Sequence, residues 1–180
     1  MGVLLILSIS LSSWSILIGK KSKSLAPTNS STEPDAYMED VVATILNKEG
    51  NPSMKIETPK MVHYAENDVT NISQPHITVY RQSPEPWYIN SNFAKASDGV
   101  EEILFWDNVV IHHAQDIDNP TTTMTTTTLT VFPNQQLAKT AEAITVTQPN
   151  ATLHAIGMLA NMNDGTVKLL SHARGEYVPS

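Results

Sequence analysis

The sequence predicts an antiparallel all-β fold, a sandwich, jelly roll or barrel. Three observations predict it. From Met38 to Val178 no segment sustains a 3.6-residue apolar period. Short runs that alternate apolar and polar residues recur instead. Turn-forming clusters such as "KEGNP", "AENDV", "QSPEP", "ASDG", "DIDNP", "FPNQQ", "TQPN" and "NDG" separate them. Regular short strands between such turns build antiparallel sheets.

In chain order, the alternating runs are "DVVATIL" (Asp40–Leu46), "MKIET" (Met54–Thr58), "HITVY" (His76–Tyr80) and "WYINS" (Trp87–Ser91). "EEILFW" (Glu101–Trp106), "VVIHH" (Val109–His113), "AITVT" (Ala143–Thr147) and "TVKLL" (Thr166–Leu170) follow. "ITVY", "LTVF" and "ITVT", at Ile77, Leu129 and Ile144, share an apolar-Thr-Val core before a proline-containing turn. Stacked strand-turn units would produce such an echo, as would β-propensity alone.

Eight of the ten residues Thr121–Thr130 are threonine. A disordered linker is richer in Gly, Ser, Glu or Pro, whereas threonine is β-branched and suits a strand. Thr125–Phe132 therefore reads as a strand, with Asp116–Thr123 as the loop before it and Thr121–Met124 outside the strand. On strict alternation, Leu129 and Val131 share a face with Thr125 and Thr127. The chain then holds one folded domain, residues 37–180.

Two segments precede that domain. Val3–Ile18 is sixteen residues without a charge. As a helix it is about 24 Å long at about 1.5 Å per residue, a little under the roughly 30 Å hydrocarbon core. It reads as a transmembrane anchor over residues 1–19. A secretory signal cut near Ser24–Ala26 and a buried core helix are the alternatives. The lysines of "KKSK" (Lys20–Lys23) follow the apolar run, which on the positive-inside rule opposes an outward-facing domain. "PTNSSTEPD" (Pro27–Asp35) has linker composition, so residues 20–36 form the tether.

Composition narrows function. Eleven Lys and Arg stand against 18 Asp and Glu, a net charge of -7, which argues against a nucleic-acid binder. There is no cysteine, which excludes disulfides, thiolate metal sites and Cys nucleophiles. The six histidines lack metal-ligand spacing, and adjacent His112 and His113 point to opposite faces of a strand. No P-loop, G-x-G-x-x-G or G-x-S-x-G occurs, and nothing singles out two of the acids as a glycosidase pair. The sequence thus points to no enzyme, no cofactor and no metal. Its positive signal is a set of aliphatic strand positions, Val41, Ile45, Ile72, Ile77, Val79, Ile89, Val109, Ile111, Leu129, Val131, Ile144 and Val146. These suit either a plain core or a groove for acyl chains.

The order of these pieces resembles the LptC family of lipopolysaccharide-export proteins. The resemblance rests on Gly50 in the first turn, Met61–Tyr64, the Pro75–Tyr80 strand and the Pro86–Trp87 turn. It continues through "TTTTLTVFP" (Thr125–Pro133), Gly157–Met158, Leu169–Ser171 and Arg174–Tyr177. Asp107–Asn108 and Ala155 stand where the family usually has glycine. The resemblance implies a twisted, open β-jelly-roll in the periplasm behind one inner-membrane helix. The aliphatic positions above would line an apolar lipid groove, and Gly50 and Gly157 would be structural turns. Arg174, Gly175 and Tyr177 would lie on the edge that meets an LptA-like jelly roll. The helix and N-terminal edge would meet the LptB/LptF/LptG transporter. A purely structural adaptor that pairs through its sheet edges is the alternative.

Overall fold

The computed structural model describes residues 33–80, 85–117, 120–162 and 165–177. The anchor and most of the tether lie outside these residues. Among the described residues, no helix is long and apolar enough to cross a membrane.

Among the described residues, eleven strands form one antiparallel sheet. They are β1 (Ala36–Leu46), β2 (Pro52–Tyr64), β3 (Val69–Ser73), β4 (His76–Val79), β5 (Trp87–Asn90), β6 (Phe93–Ser97), β7 (Glu102–His113), β8 (Thr122–Phe132), β9 (Leu137–Gln148), β10 (Ala151–Asn161) and β11 (Thr166–Tyr177). β1 begins at Ala36, the last residue assigned to the tether. A 3-10 turn, Pro133–Gln135, links β8 to β9.

The register reduces these eleven strands to a simple meander. β2 pairs β3 up to Lys60↔Ser73 and resumes with β4 at Glu57↔His76, three residues further on along both strands. β3 and β4 are therefore one strand broken at Gln74–Pro75. β5 and β6 are likewise one strand broken at Ser91–Asn92, because Ser73↔Phe93 and His76↔Asn90 keep one register. Nine rungs result, each antiparallel to the next, with β1 and β11 at the two ends.

Every rung bends near its middle, and the bends line up across the sheet. They fall at Asp40, Pro59, Gln74–Pro75, Ser91–Asn92, Asp107–Asn108, Thr126–Leu129, Ala141–Ala143, Gly157 and His172. Pro59 cannot donate to the ladder, and Asp40, Gln74, Asp107, Asn108, Gly157 and His172 have left-handed φ values between 46° and 78°. Asp and Asn tolerate that region best after glycine, so Asp107–Asn108 can serve the bend in β7. Gly157, placed at a turn by the sequence, lies inside β10 with φ +78°. A Cβ there would come within 3.0 Å of Leu170. Gly50, by contrast, is in a true chain reversal, its N–H donating to the Asn47 carbonyl at 3.0 Å.

The crease breaks ladder bonds, and side-chain hydroxyls replace them, those of Thr58, Ser91, Thr126 and Thr140 buried. Thr58 Oγ1 donates to the Ser73 carbonyl of β3 and accepts the Lys60 N–H at 3.2 Å. Ser91 Oγ donates to the Phe93 carbonyl at 2.8 Å, Thr126 Oγ1 to that of Ala143 at 2.9 Å and Ser171 Oγ to that of Ile156 at 3.0 Å. Thr140 Oγ1 accepts the Glu142 N–H at 3.1 Å. Asn92 bonds Asp107 through both backbone and side chain, at 2.8 and 2.9 Å. A bend left with orphan backbone groups would be costly, which accounts for the hydroxyl residues among the buried positions.

The crease folds the sheet into two layers that share one face as their interior. The upper layer holds the β1–β2 hairpin end with β4, β5 and the β7–β8 residues Val109–Thr126. The lower layer holds β3, β6 and the opposite halves of the longer strands. One hydrophobic cluster joins both, from Met54, Ile56 and Ile77 through Ile103, Phe105 and Leu129 to Ala155 and Met158. The threonine run is corrected here. β8 starts at Thr122, because Thr122 and Met124 are buried interior residues, so only Thr121 stays outside. The bend between Thr126 and Leu129 also changes the alternation. Leu129 and Val131 share the interior with Thr122, Met124 and Thr126, while Thr125 and Thr127 are exposed.

Candidate functional site

The interior collects the aliphatic positions singled out by the sequence. Ile72, Ile77, Val79, Ile89, Val109, Ile111, Leu129, Val131, Ile144 and Val146 are all buried between the layers, with Ile77 at 0% exposure. Val41 and Ile45 face the same way, across from Thr58 and Met54, and are only half-buried because β1 is an edge strand.

Most of this space is filled. A cleft remains toward the β9–β11 side, where Val79, Trp87, Ile89, Ile111 and Met124 of the upper layer face Leu129, Ala138, Met158, Ala160, Met162 and Val167 of the lower. Its free volume is about 60 Å³, room for a handful of water molecules. Of the sequence-predicted lining, Val79, Ile89, Ile111 and Leu129 reach the cleft, and the other eight pack elsewhere. Trp87, Met124, Ala138, Met158 and Ala160 were not predicted. Alternation places them inward, but Ala is too small and Met too common in cores to stand out in a sequence.

A polar pair lies at the upper end of the interior. His113 is 1% exposed, packs against Trp87 in a tilted arrangement at 4.7 Å between ring centroids, and places Nε2 3.4 Å from Asp116 Oδ2. His112, on the opposite face as its position requires, bonds Thr123 Oγ1 at 3.1 Å. Among the described residues no three His, Asp or Glu side chains gather as a metal site. Glu101 and Glu102 are exposed at the start of β7.

Both edges of the meander expose apolar side chains. β1 carries Tyr37, Met38, Val42 (65% exposed) and Leu46, and β11 carries Val167, Leu170 and Tyr177 (70%). Each strand pairs on one side only, so its other side presents a row of unpaired N–H and C=O groups. Arg174, Gly175 and Tyr177 belong to β11, across from His154, Leu153 and Ala151. A Cβ at Gly175 would come to 2.6 Å from Leu153 Cδ2, the end of a half-buried side chain that can turn aside.

The chain enters the sheet through a titratable clasp. His63 Nδ1 lies 2.8 Å from Asp35 Oδ1 and Nε2 lies 3.2 Å from Asp68 Oδ1, while Asp68 Oδ2 accepts the Gly99 N–H at 2.7 Å. Hydrogen bonds to Asp68 and Asp35 raise the His63 pKa above its ordinary 6.5, and the bond to His63 lowers that of Asp35 below 3.8. The folded state thus favours charged His63. The clasp's contribution is complete below the ordinary histidine value and is lost as pH rises through the higher folded value. Asp35 adds the converse, a contribution present above its ordinary value and lost as pH falls through the lowered one. The urea midpoint of the native chain is expected to fall as pH climbs from 6 into the alkaline range, and that fall to be smaller in His63→Gln.

The family model described as "LptC: Lipopolysaccharide-assembly, LptC-related" matches residues 3–178. Among solved structures, the chain is similar to LptH from Pseudomonas aeruginosa, described as the LptA homologous periplasmic component of the conserved lipopolysaccharide transport device. The TM-score is 0.55 at 10% identity, over 70% of this chain and 95% of that one. No curated protein matches the sequence. The structural likeness concerns the fold, a creased antiparallel sheet of the jelly-roll kind.

Proposed function

The chain belongs to the LptC-related family and serves lipopolysaccharide transport as a β-jelly-roll component of the cell envelope, and from that premise we propose that it holds the lipid's acyl chains between the two layers of its sheet. The observation that carries this reading is the single apolar interior shared by both layers, which ends in a cleft rather than in a complete seal. Burying acyl methylenes stabilises the complex by about 0.8 kcal/mol each, so a few chains bind firmly without catalysis. The chain itself contributes no reaction; directional movement draws on an ATP-hydrolysing transporter. That LptB/LptF/LptG transporter hands over the lipid, meeting the chain at its anchor, residues 1–19, and at β1. An LptA-like jelly roll receives it at β11, through Arg174, Gly175 and Tyr177. Strand addition at either edge would satisfy the unpaired backbone groups there. In this reading the domain lies on the periplasmic side of the inner membrane, against the positive-inside tendency of Lys20–Lys23.

One observation favours a second reading. The free volume is far smaller than a set of acyl chains, as in an adaptor whose interior is only a core and whose function lies at its edges. Photocrosslinking separates the two. A photoreactive residue at Ile89 or Met158 is expected to capture lipopolysaccharide in cells, and one at exposed Thr125 is not. Equal capture at all three positions would remove the interior as the lipid site, and absence of capture at any would leave the adaptor.

A further inference from the structure

Nothing in the lipid reading uses the outer face of the lower layer, yet this face differs from the rest of the chain. One cross-strand row runs over all nine rungs: Tyr37, Val62, Asn71, Lys95, Leu104, Thr130, Lys139, Leu159 and Lys168, each paired in register with the next. It contains no acid. The adjoining row toward the crease, Glu39, Lys60, Ser73, Phe93, Trp106 and Thr128, holds one. Beyond the first row lies Glu102. This face thus gathers four lysines against two glutamates, in a chain of net charge -7.

The lysines stand among aromatic and aliphatic side chains. Phe93, 44% exposed, stacks on Trp106 at 5.8 Å and 23°. Lys139 lies over the Phe132 ring at 4.7 Å, and Lys60 over that of Tyr37 at 4.8 Å. Exposed rings and leucines with lysine ammonium groups at their margins match a lipid headgroup region, where rings enter the interface and lysine stems reach back to anionic groups.

We propose that the outer face of the lower layer docks on the surface of an anionic phospholipid bilayer. This rests on the envelope reading above and adds a second contact to the tether. Charge complementarity is one argument. The chain outside the described residues is the other. Fourteen residues separate Ile18 from Glu33, a reach of at most about 50 Å at 3.3–3.6 Å per residue. The chain also enters through β1, whose Tyr37 begins the lysine row. A tether of that length allows this face to reach a bilayer in which Val3–Ile18 would be anchored.

The absence of cysteine makes the test direct. Full-length chain carrying Thr130→Cys or Thr125→Cys is labelled with a fluorophore. It is then reconstituted into phosphatidylcholine vesicles with or without about one-third phosphatidylglycerol, each containing a lipid-borne quencher. The Thr130 label is expected to be quenched several-fold more with phosphatidylglycerol than without it. The Thr125 label, on the upper outer face, is expected to be unaffected. Adding Lys95→Glu, Lys139→Glu and Lys168→Glu is expected to return the Thr130 signal to its phosphatidylcholine level, with far-UV circular dichroism confirming the fold. Vesicle flotation reports the anchor separately. Flotation with both lipid mixtures but no quenching at Thr130 keeps the anchor and overturns the docking; a face reserved for an acidic protein gives this result. Flotation and quenching only with phosphatidylglycerol supports the docking and overturns the anchor. Equal quenching at Thr125, or quenching that survives the triple reversal, overturns the docking.

Discussion

Replacing Phe105 by alanine is expected to destabilise the domain by about 3–5 kcal/mol. Phe105 is 1% exposed and is the largest of the fully buried side chains. It sits in β7 between Ala94 of β6 and Leu129 of β8. Ala94 is already minimal and cannot swell to fill the space, so most of the cavity remains after truncation. Against a typical total stability of about 5–15 kcal/mol, the variant lies close to unfolding. Urea denaturation measures this as a lower midpoint at unchanged slope. Phe93→Ala is the internal control. Phe93 pairs with the next residue of β7, Trp106, but faces outward and half-exposed, and its removal is expected to cost about 0.5 kcal/mol. Equal costs at the two positions would mean that the layers do not pack as described.

Ala160→Trp is expected to abolish capture of lipopolysaccharide by a photoreactive residue at Ile89 while the domain stays folded. Ala160 is half-buried on the lower wall of the cleft, opposite Trp87 and Ile111. An indole there occupies the free volume. Overpacking of a filled core costs about 1–3 kcal/mol, and because an indole is larger than the roughly 60 Å³ free here, the cost lies toward the upper end of that range. Loss of capture with an intact urea transition locates lipid entry at the cleft. If capture persists and lipopolysaccharide export in cells is unchanged, the cleft is not on the lipid's route.

Period-two alternation carried most of the fold. The inward positions of β4, β7 and β9 follow from it directly, and the apolar-Thr-Val echoes fall on β4, β8 and β9 with their apolar residues inside. Alternation fails where a strand crosses the crease, because an extra residue moves the following side chains to the other face. Thr125 and Thr127 were assigned to the side of Leu129 for that reason. The signals of the crease are scattered: a proline in β2, Gln-Pro between β3 and β4, Asp-Asn in β7, a glycine in β10. Each reads locally as a turn, and only the register shows that they form one line. The cleft was less legible still. Which interior residues border free space depends on how two layers approach each other, and Ala138, Ala160 and Met158 differ little in type from core residues.

The direction of the crease has a further consequence. It crosses the strands at right angles, along the line of interstrand hydrogen bonds, so the interior, filled by side chains except at the cleft, follows a trough whose length is counted in strands. At about 4.7–4.9 Å per strand, nine rungs give a trough about 40 Å long. It runs from the unpaired side of β1 to the unpaired side of β11. A creased strand added in register at either end would lengthen the trough by one further step without interrupting its walls.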